Sequence, residues 1–259
     1  MAYGGRKLLH LFWGRSRPLS WLRLQTVVSF ARLNPDWHIK VWYRDAEPKK
    51  PYWRTGEQSK PYNGRDYFDA LPANVERCKP DFDLALPDVP FSDYLRWRVL
   101  GEEGGFWSDF DIVYIRPMDL IGNPTGPFLI QYPCGVWPIG FLGAPDELGQ
   151  WFFAQLEKLA LQRIGTADYQ GLGCILLERW VKMQRKTAAQ PQQWVYPEYR
   201  LKQAERAFFA PVDYKPAKEF IGMHWFAGAA FASEFESSID PDNLTADQKR
   251  AGVIKALGL

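Results

Sequence analysis

The opening 45 residues constrain the architecture more than any other stretch. "RKLLHLFW" is a short apolar run of the buried-strand kind, closed by Gly14 and a polar turn through Pro18. Ser20 to Leu33 then carries Leu24, Val27, Val28 and Ala31 at helical spacing until Asn34-Pro35. A residue before proline is pushed out of the α region, so the helix stops there. "HIKVWYRD" reads as a second strand. Strand, helix and strand in succession predict an α/β unit with a parallel strand pair.

The rest of the chain extends this pattern. Residues 46–88, beginning "AEPKKPYWRTGEQSKPYN", read as a loop-rich insertion exposed at the surface. "FSDYLRWRVLGEEGG" predicts a helix capped by Ser92 or Asp93 and ended by Gly104-Gly105, which delivers the chain into the apolar "FWSDFDIVYIRP". Strand-like spans follow at "PFLIQY" and "VWPIGFLGA", then amphipathic helices over 145–163 and 169–184. "EFIGMHWFAG" reads as a last strand carrying His224, and Thr245 with Gln248 forms a capping box for a C-terminal helix over 244–259. No repeat or composition shift divides the chain, so one α/β domain over 1–259 is expected.

Charge is balanced, with 32 Lys and Arg against 30 Asp and Glu, which argues against a general polyanion partner. The 12 Trp, 12 Tyr and 17 Phe suit sugars, nucleobases or a core equally well. Three distant cysteines supply neither a disulfide framework nor a metal knuckle. The N-terminus has only a broken apolar run and no later stretch reaches membrane-spanning length, so a cytoplasmic location is expected.

Asp-x-Asp occurs at Asp81/Asp83, Asp109/Asp111 and Asp240/Asp242. Carboxylates one residue apart on an extended chain point to the same side, a cation clamp in principle. The first pair lies between Pro80 and Pro87 in what reads as a surface loop. Asp109 and Asp111 instead stand where a helix ends in two glycines and a strand begins, the kind of place where an α/β sheet presents ligand groups. Hard oxygens at this spacing suit Mg²⁺ or Mn²⁺ completed by substrate phosphates. On the preceding helix Asp93 and Arg96 share a face, either as a surface ion pair or as partners for sugar hydroxyls.

"FSDYLRWRVLGEEGGFWSDFDIVYIRPMD" resembles the Ser-Asp-x-x-Arg, Gly-Gly, aromatic, x, Asp-x-Asp segment of the DXD-type sugar transferases that include fungal initiating mannosyltransferases, bacterial capsule enzymes and glucosylating clostridial toxins. Residues 7–45 look like their opening, with His-x-x-Trp before a helix and an Asn-Pro-Asp turn. "MHWFAGAAFASEF" is similar to their late His-x-Trp-x-x-Ser-Trp region, with Phe231 and Phe235 near the place of the final Trp. The resemblance implies a GT-A fold, a Rossmann-like mixed sheet flanked by helices, holding Mn²⁺ or Mg²⁺ and a nucleotide-sugar donor. Asp111 would be the direct metal ligand and Asp109 would hold the ribose or the metal's water shell. Asp93 and Arg96 would hold the donor sugar, Trp13 would stack on the nucleobase, and His224 could reach the metal or the diphosphate. The implied activity is retaining transfer of a hexose to a hydroxyl acceptor, with a UDP-hexose favoured over GDP-mannose.

Two rival classes fit parts of the chain. "DFDIV" matches the Asp-x-Asp-x-Thr/Val motif of haloacid-dehalogenase phosphatases, with Asp109 as nucleophile, but more than 100 residues precede it and no Gly-Asp pair supplies the late acidic motif. A carbohydrate- or nucleotide-binding module would need neither metal nor Arg96. Between Lys40 and Tyr67, Lys40, Arg44, Lys49, Lys50, Arg54, Lys60 and Arg65 alternate with aromatics, which fits a glycan, a protein or a modified nucleic acid as acceptor, or an ordinary solvated loop.

Overall fold

A computed structural model describes residues 3–45, 59–82, 84–166, 170–184, 188–190, 194–212 and 214–258. The opening unit forms as the pattern predicts. β1 (Leu8–Gly14) is followed by α1 (Trp21–Leu33) and β2 (His38–Arg44), and the two strands pair in parallel from Leu8 opposite His38 to Gly14 opposite Arg44. Ser20 caps α1 by accepting from the Arg23 N–H. At its other end Asn34 Oδ1 accepts from the Met118 N–H at 2.7 Å, tying the helix to the middle of the chain.

Within the expected loop-rich insertion the chain forms β3 (Val75–Cys78), which extends the sheet parallel to β2. "VERC" is too short and too polar to read as a strand alone, and pairing with β2 supplies its order. Residues 46–58, the centre of the basic and aromatic excursion, lie outside the described residues. Of the basic positions described there, Lys40 pairs with Glu103, Arg44 with Asp88 and Lys60 with Glu234.

α2 (Asp88–Glu102) begins four residues before the expected cap, so neither Ser92 nor Asp93 caps it. Pro90 is the reason for the difference. Proline reads as a helix stop, yet in a first turn its missing N–H is no loss. Asp93 and Arg96 therefore sit inside the helix and are buried. Gly104 and Gly105, at φ +69° and +79°, then turn the chain into β4 (Gly105–Ser108). A side chain at Gly105 would meet the Leu8 carbonyl at 2.5 Å. That close approach lets β4 pair with β1.

The sheet order is β3-β2-β1-β4-β6, with β6 (Phe141–Ala144) antiparallel to β4. "PFLIQY" contributes only isolated bridges, Phe128 to Gly143 and Ile130 to Gln190. α3 (Glu147–Leu161), capped by Asp146, and α4 (Cys174–Gln184) follow. A separate antiparallel pair joins β5 (Ile112–Tyr114) to β7 (Gly222–His224), with Ile112 opposite His224. α5 (Leu201–Ala204) runs into a π-helical turn at Glu205–Phe209, and α6 (Ala230–Ser238) follows β7.

The C-terminal segment carries its capping box but breaks into α7 (Ala246–Arg250) and α8 (Gly252–Lys255) instead of one helix. A side chain at Gly252 would lie 2.3 Å from the Ala207 carbonyl. The bend at Ala251 brings that glycine against the backbone and buries Val253 and Ile254 beside Phe208. This mixed α/β architecture is the fold class expected from the sequence. Among the described residues no helix is long and apolar enough to cross a membrane.

Candidate active site

Strands β1, β2 and β3 run outward to one side of the sheet and β4 enters on the other side of β1. The carboxyl ends of β1 and β4 thus flank the point where strand order reverses, the place at which open α/β sheets bind ligands. Trp13 and Gly14 end β1, and Asp109 follows β4 directly. Between them opens a cleft of about 390 Å³ whose walls include Trp13, Arg23, Arg96, Asp109 and Asp111.

Asp111, on the cleft wall, leads directly into β5, and the partner strand β7 ends at His224. Pairing Ile112 with His224 sets the imidazole beside Asp111, with Nε2 3.2 Å from Oδ1. One ligand atom each from Asp109, Asp111 and His224 falls within 4.8 Å of the other two, a spacing that fits one hard cation. His224 Nδ1 is buried without a hydrogen bond, and Asp111 Oδ1 has only the charge contact with His224 Nε2, although buried polar atoms are normally satisfied. Tyr196, 1% exposed, adds another unpartnered polar atom, its hydroxyl oxygen. Gly140 leaves the room these groups converge on: a side chain there would come within 3.0 Å of Asp109 Oδ2 and the Tyr196 oxygen and 3.1 Å of His224 Nε2.

Backbone geometry holds Asp111 in place. Its carbonyl accepts from the Trp225 N–H at 2.8 Å and its Oδ2 from the Ala227 N–H at 2.9 Å. Phe226 between them has φ +57°, a left-handed conformation costing a non-glycine residue on the order of 1 kcal/mol. Such strain, held in place by its surroundings, is typical of a functional turn. Burial alone would raise the Asp111 carboxyl, but the His224 charge, Arg23 and the Ala227 N–H hold it down at about 2. Burial alone would lower His224, and the Asp111 carboxylate raises it above its ordinary value. The two groups therefore form an ion pair when no cation competes for them.

Asp109 is shaped by its neighbours on β4 and α2. The Trp107 indole donates to its Oδ1 at 2.8 Å, and the Arg96 guanidinium lies 3.4 Å from the same oxygen. Arg96 pairs with Asp93 at 3.0 Å, stacks over the Trp107 ring at 4.9 Å, and donates to the Ile139 carbonyl. The pair is buried, at 4% and 6% side-chain exposure, so the surface-pair alternative does not hold. Arg96 reaches the cleft wall, whereas Asp93 stands behind it, against Gly173, where a side chain would meet Asp93 Oδ2 at 2.6 Å.

The remaining expected residues divide. Trp13 lines the cleft, with its indole N–H donating to the Arg17 carbonyl and its ring edge against Phe110. Phe231 and Phe235 do not stand in for a cleft tryptophan, since both pack on Phe209 on the outer side of α6. Asp81 is an exposed residue paired with Arg98, Asp83 lies outside the described residues, and Asp240 caps the Asp242 N–H in a turn. Sequence reasoning did not single out Tyr196, Gly140, Gly173 or Arg23. None carries a local motif, and each is defined only by what the fold brings against it.

No family model and no curated protein matches the sequence. Solved structures do resemble the fold. One is a chain described as PaToxG glycosyltransferase, with a TM-score of 0.51, 16% identity, and coverage of 71% of each chain. Another is the apo form of the glycosyltransferase GlyE of Streptococcus pneumoniae TIGR4, with a TM-score of 0.53, 11% identity, and coverage of 98% of this chain. A second GlyE structure matches at a TM-score of 0.51 and 12% identity. The chain spans about 60% of the length of GlyE. At such identities the likeness concerns the backbone, and by it this chain has the fold of these glycosyltransferases, the GT-A arrangement expected from its sequence.

Proposed function

We propose that the protein is a metal-dependent glycosyltransferase that moves a hexose from a nucleotide diphosphate sugar, a UDP-hexose for preference, to a hydroxyl acceptor with retention of configuration. The observation that carries the reading is the convergence of Asp109, Asp111 and His224 at the reversal point of a glycosyltransferase-like sheet. These three residues would hold Mn²⁺ or Mg²⁺. Bound there, the cation supplies electrostatic stabilisation for the charge that develops on a departing diphosphate.

The chain's own residues account for binding and orientation. Trp13 at the end of β1 offers an aromatic ring to the nucleobase. Arg96, locked by Asp93, Asp109 and the Trp107 face, would stand beside the donor sugar in a fixed position on the cleft wall. A side chain ordered before the ligand arrives lowers the entropic cost of positioning it. Asp93 acts through Arg96, since it stands behind the cleft wall. Besides Asp109 and Asp111 the cleft wall carries the Asp88 carboxylate, which is held by Arg44 and Ser16; this fits a front-face reaction in which a donor phosphate oxygen takes the acceptor proton.

The test is release of nucleoside diphosphate from a panel of UDP- and GDP-sugars, with Mn²⁺ or with chelator. Turnover of one donor that needs metal and is lost in Asp111→Asn supports the reading. Full metal-dependent turnover by Asp111→Asn would refute the site. Sugar binding that persists in chelator without any turnover would favour a binding module instead.

A further inference from the structure

Arg23 lies on the first turn of α1, far in sequence from Asp109 and Asp111, yet it shares the cleft wall with them. Its Nε donates to Glu236 Oε1 at 2.7 Å. Glu236 is 3% exposed, belongs to α6, and also accepts from the Ser20 hydroxyl that caps α1. The Arg23 guanidinium sits 5.0 Å from the Trp13 ring centre and 5.6 Å from that of Trp225. A buried carboxylate and two indoles thus fix a partly exposed cation at the edge of the cleft.

Charge balance says what that cation is for. Two aspartates offset a divalent ion, so the negative charges of a sugar-linked diphosphate are left without a counter-charge. Arg96 is ion-paired with two carboxylates, Asp93 and Asp109, whereas the buried carboxylate that Arg23 faces, Glu236, also accepts from Ser20. The Arg23 side chain keeps 19% exposure and lines the cleft beside Asp109 and Asp111. The planar guanidinium fork also matches phosphate oxygens better than any point charge.

We propose that Arg23 binds the diphosphate of the donor and that Glu236 is the positioning residue that aims it. This assignment rests on the nucleotide-sugar reading above. It adds a phosphate contact from the first helix of the chain.

Calorimetric titration of the Mn²⁺-loaded protein with UDP, GDP, uridine, guanosine and inorganic pyrophosphate tests it. For whichever nucleotide the wild type binds, Arg23→Gln should weaken the diphosphate about 10- to 100-fold and pyrophosphate similarly, with the nucleoside unchanged. Arg23→Lys should recover part of the loss, and Glu236→Gln should fall between. Equal binding of the diphosphate by Arg23→Gln and wild type overturns the proposal. So does a parallel loss of nucleoside and diphosphate, the mark of a purely structural role through Trp13. Should Arg23→Gln fail to fold, the diphosphate-to-nucleoside ratio of Arg23→Lys decides: a ratio equal to wild type overturns it. A wild type that binds none of these nucleotides refutes the nucleotide-sugar reading itself.

Discussion

His10 sets up a quantitative test of how the site strand is held. It sits in the middle of β1, fully buried, with Nε2 3.1 Å from the Gly104 carbonyl and Nδ1 accepting from the Trp42 indole at 3.1 Å. A donating indole fixes the tautomer, so Nε2 carries the proton that Gly104 accepts. This bond anchors the corner at Gly104 and Gly105, which sets the register of β4 and with it the position of Asp109. Burial pushes the His10 imidazole down to about 3, against a smaller opposing effect of the Gly104 carbonyl.

A histidine with a lowered native value binds fewer protons folded than unfolded, so stability falls as pH drops through the unfolded value near 6.5 and stops falling near 3. Between pH 7 and pH 5 the loss works out at about 2 kcal/mol. His224 opposes this loss only in the upper part of the interval, since its raised value adds stability as pH falls toward about 6.5 and little below it. Asp111, held near 2, loses its contribution below about pH 4. Urea unfolding of the metal-free protein, followed by tryptophan fluorescence at both pH values, measures the difference. His10→Gln and His10→Phe should each cost about 1–3 kcal/mol at pH 7 by leaving Gly104 or Trp42 unpaired, and should shrink the pH-dependent loss by about 2 kcal/mol. A variant with the same pH dependence as wild type would refute the reasoning.

Three further outcomes follow from the site. Gly140→Ala should fold but bind Mn²⁺ at least about tenfold more weakly, because its methyl occupies the space among Asp109, Tyr196 and His224; a metal titration checks this. Tyr196→Phe should raise the melting stability of the metal-free protein by up to about 1–2 kcal/mol, since it deletes an unsatisfied buried hydroxyl, while lowering metal-dependent turnover. Gly173→Ala pushes on Asp93 and through it on Arg96, so the donor KM should rise with metal affinity unchanged, as measured by steady-state kinetics beside the same titration.

The sequence by itself determined the parallel opening unit, because apolar runs and an Asn-Pro stop are local signals. It also pointed to Asp109 and Asp111 just after the strand that follows α2, since the two glycines that end α2, both at positive φ, are a local signal. What it could not show is which side chains meet across long separations. β3 exists only because β2 offers it a ladder. α2 starts early because a first turn tolerates Pro90. His224 reaches Asp111 only through the β5–β7 pair, and Arg23 meets Glu236 only because α6 packs beside α1. Local propensity acts over a few residues, whereas a site is made of charges brought together by burial. The tertiary structure alone decided that His224 joins Asp109 and Asp111, with a glycine-sized space among them and Arg23 at the edge of the cleft.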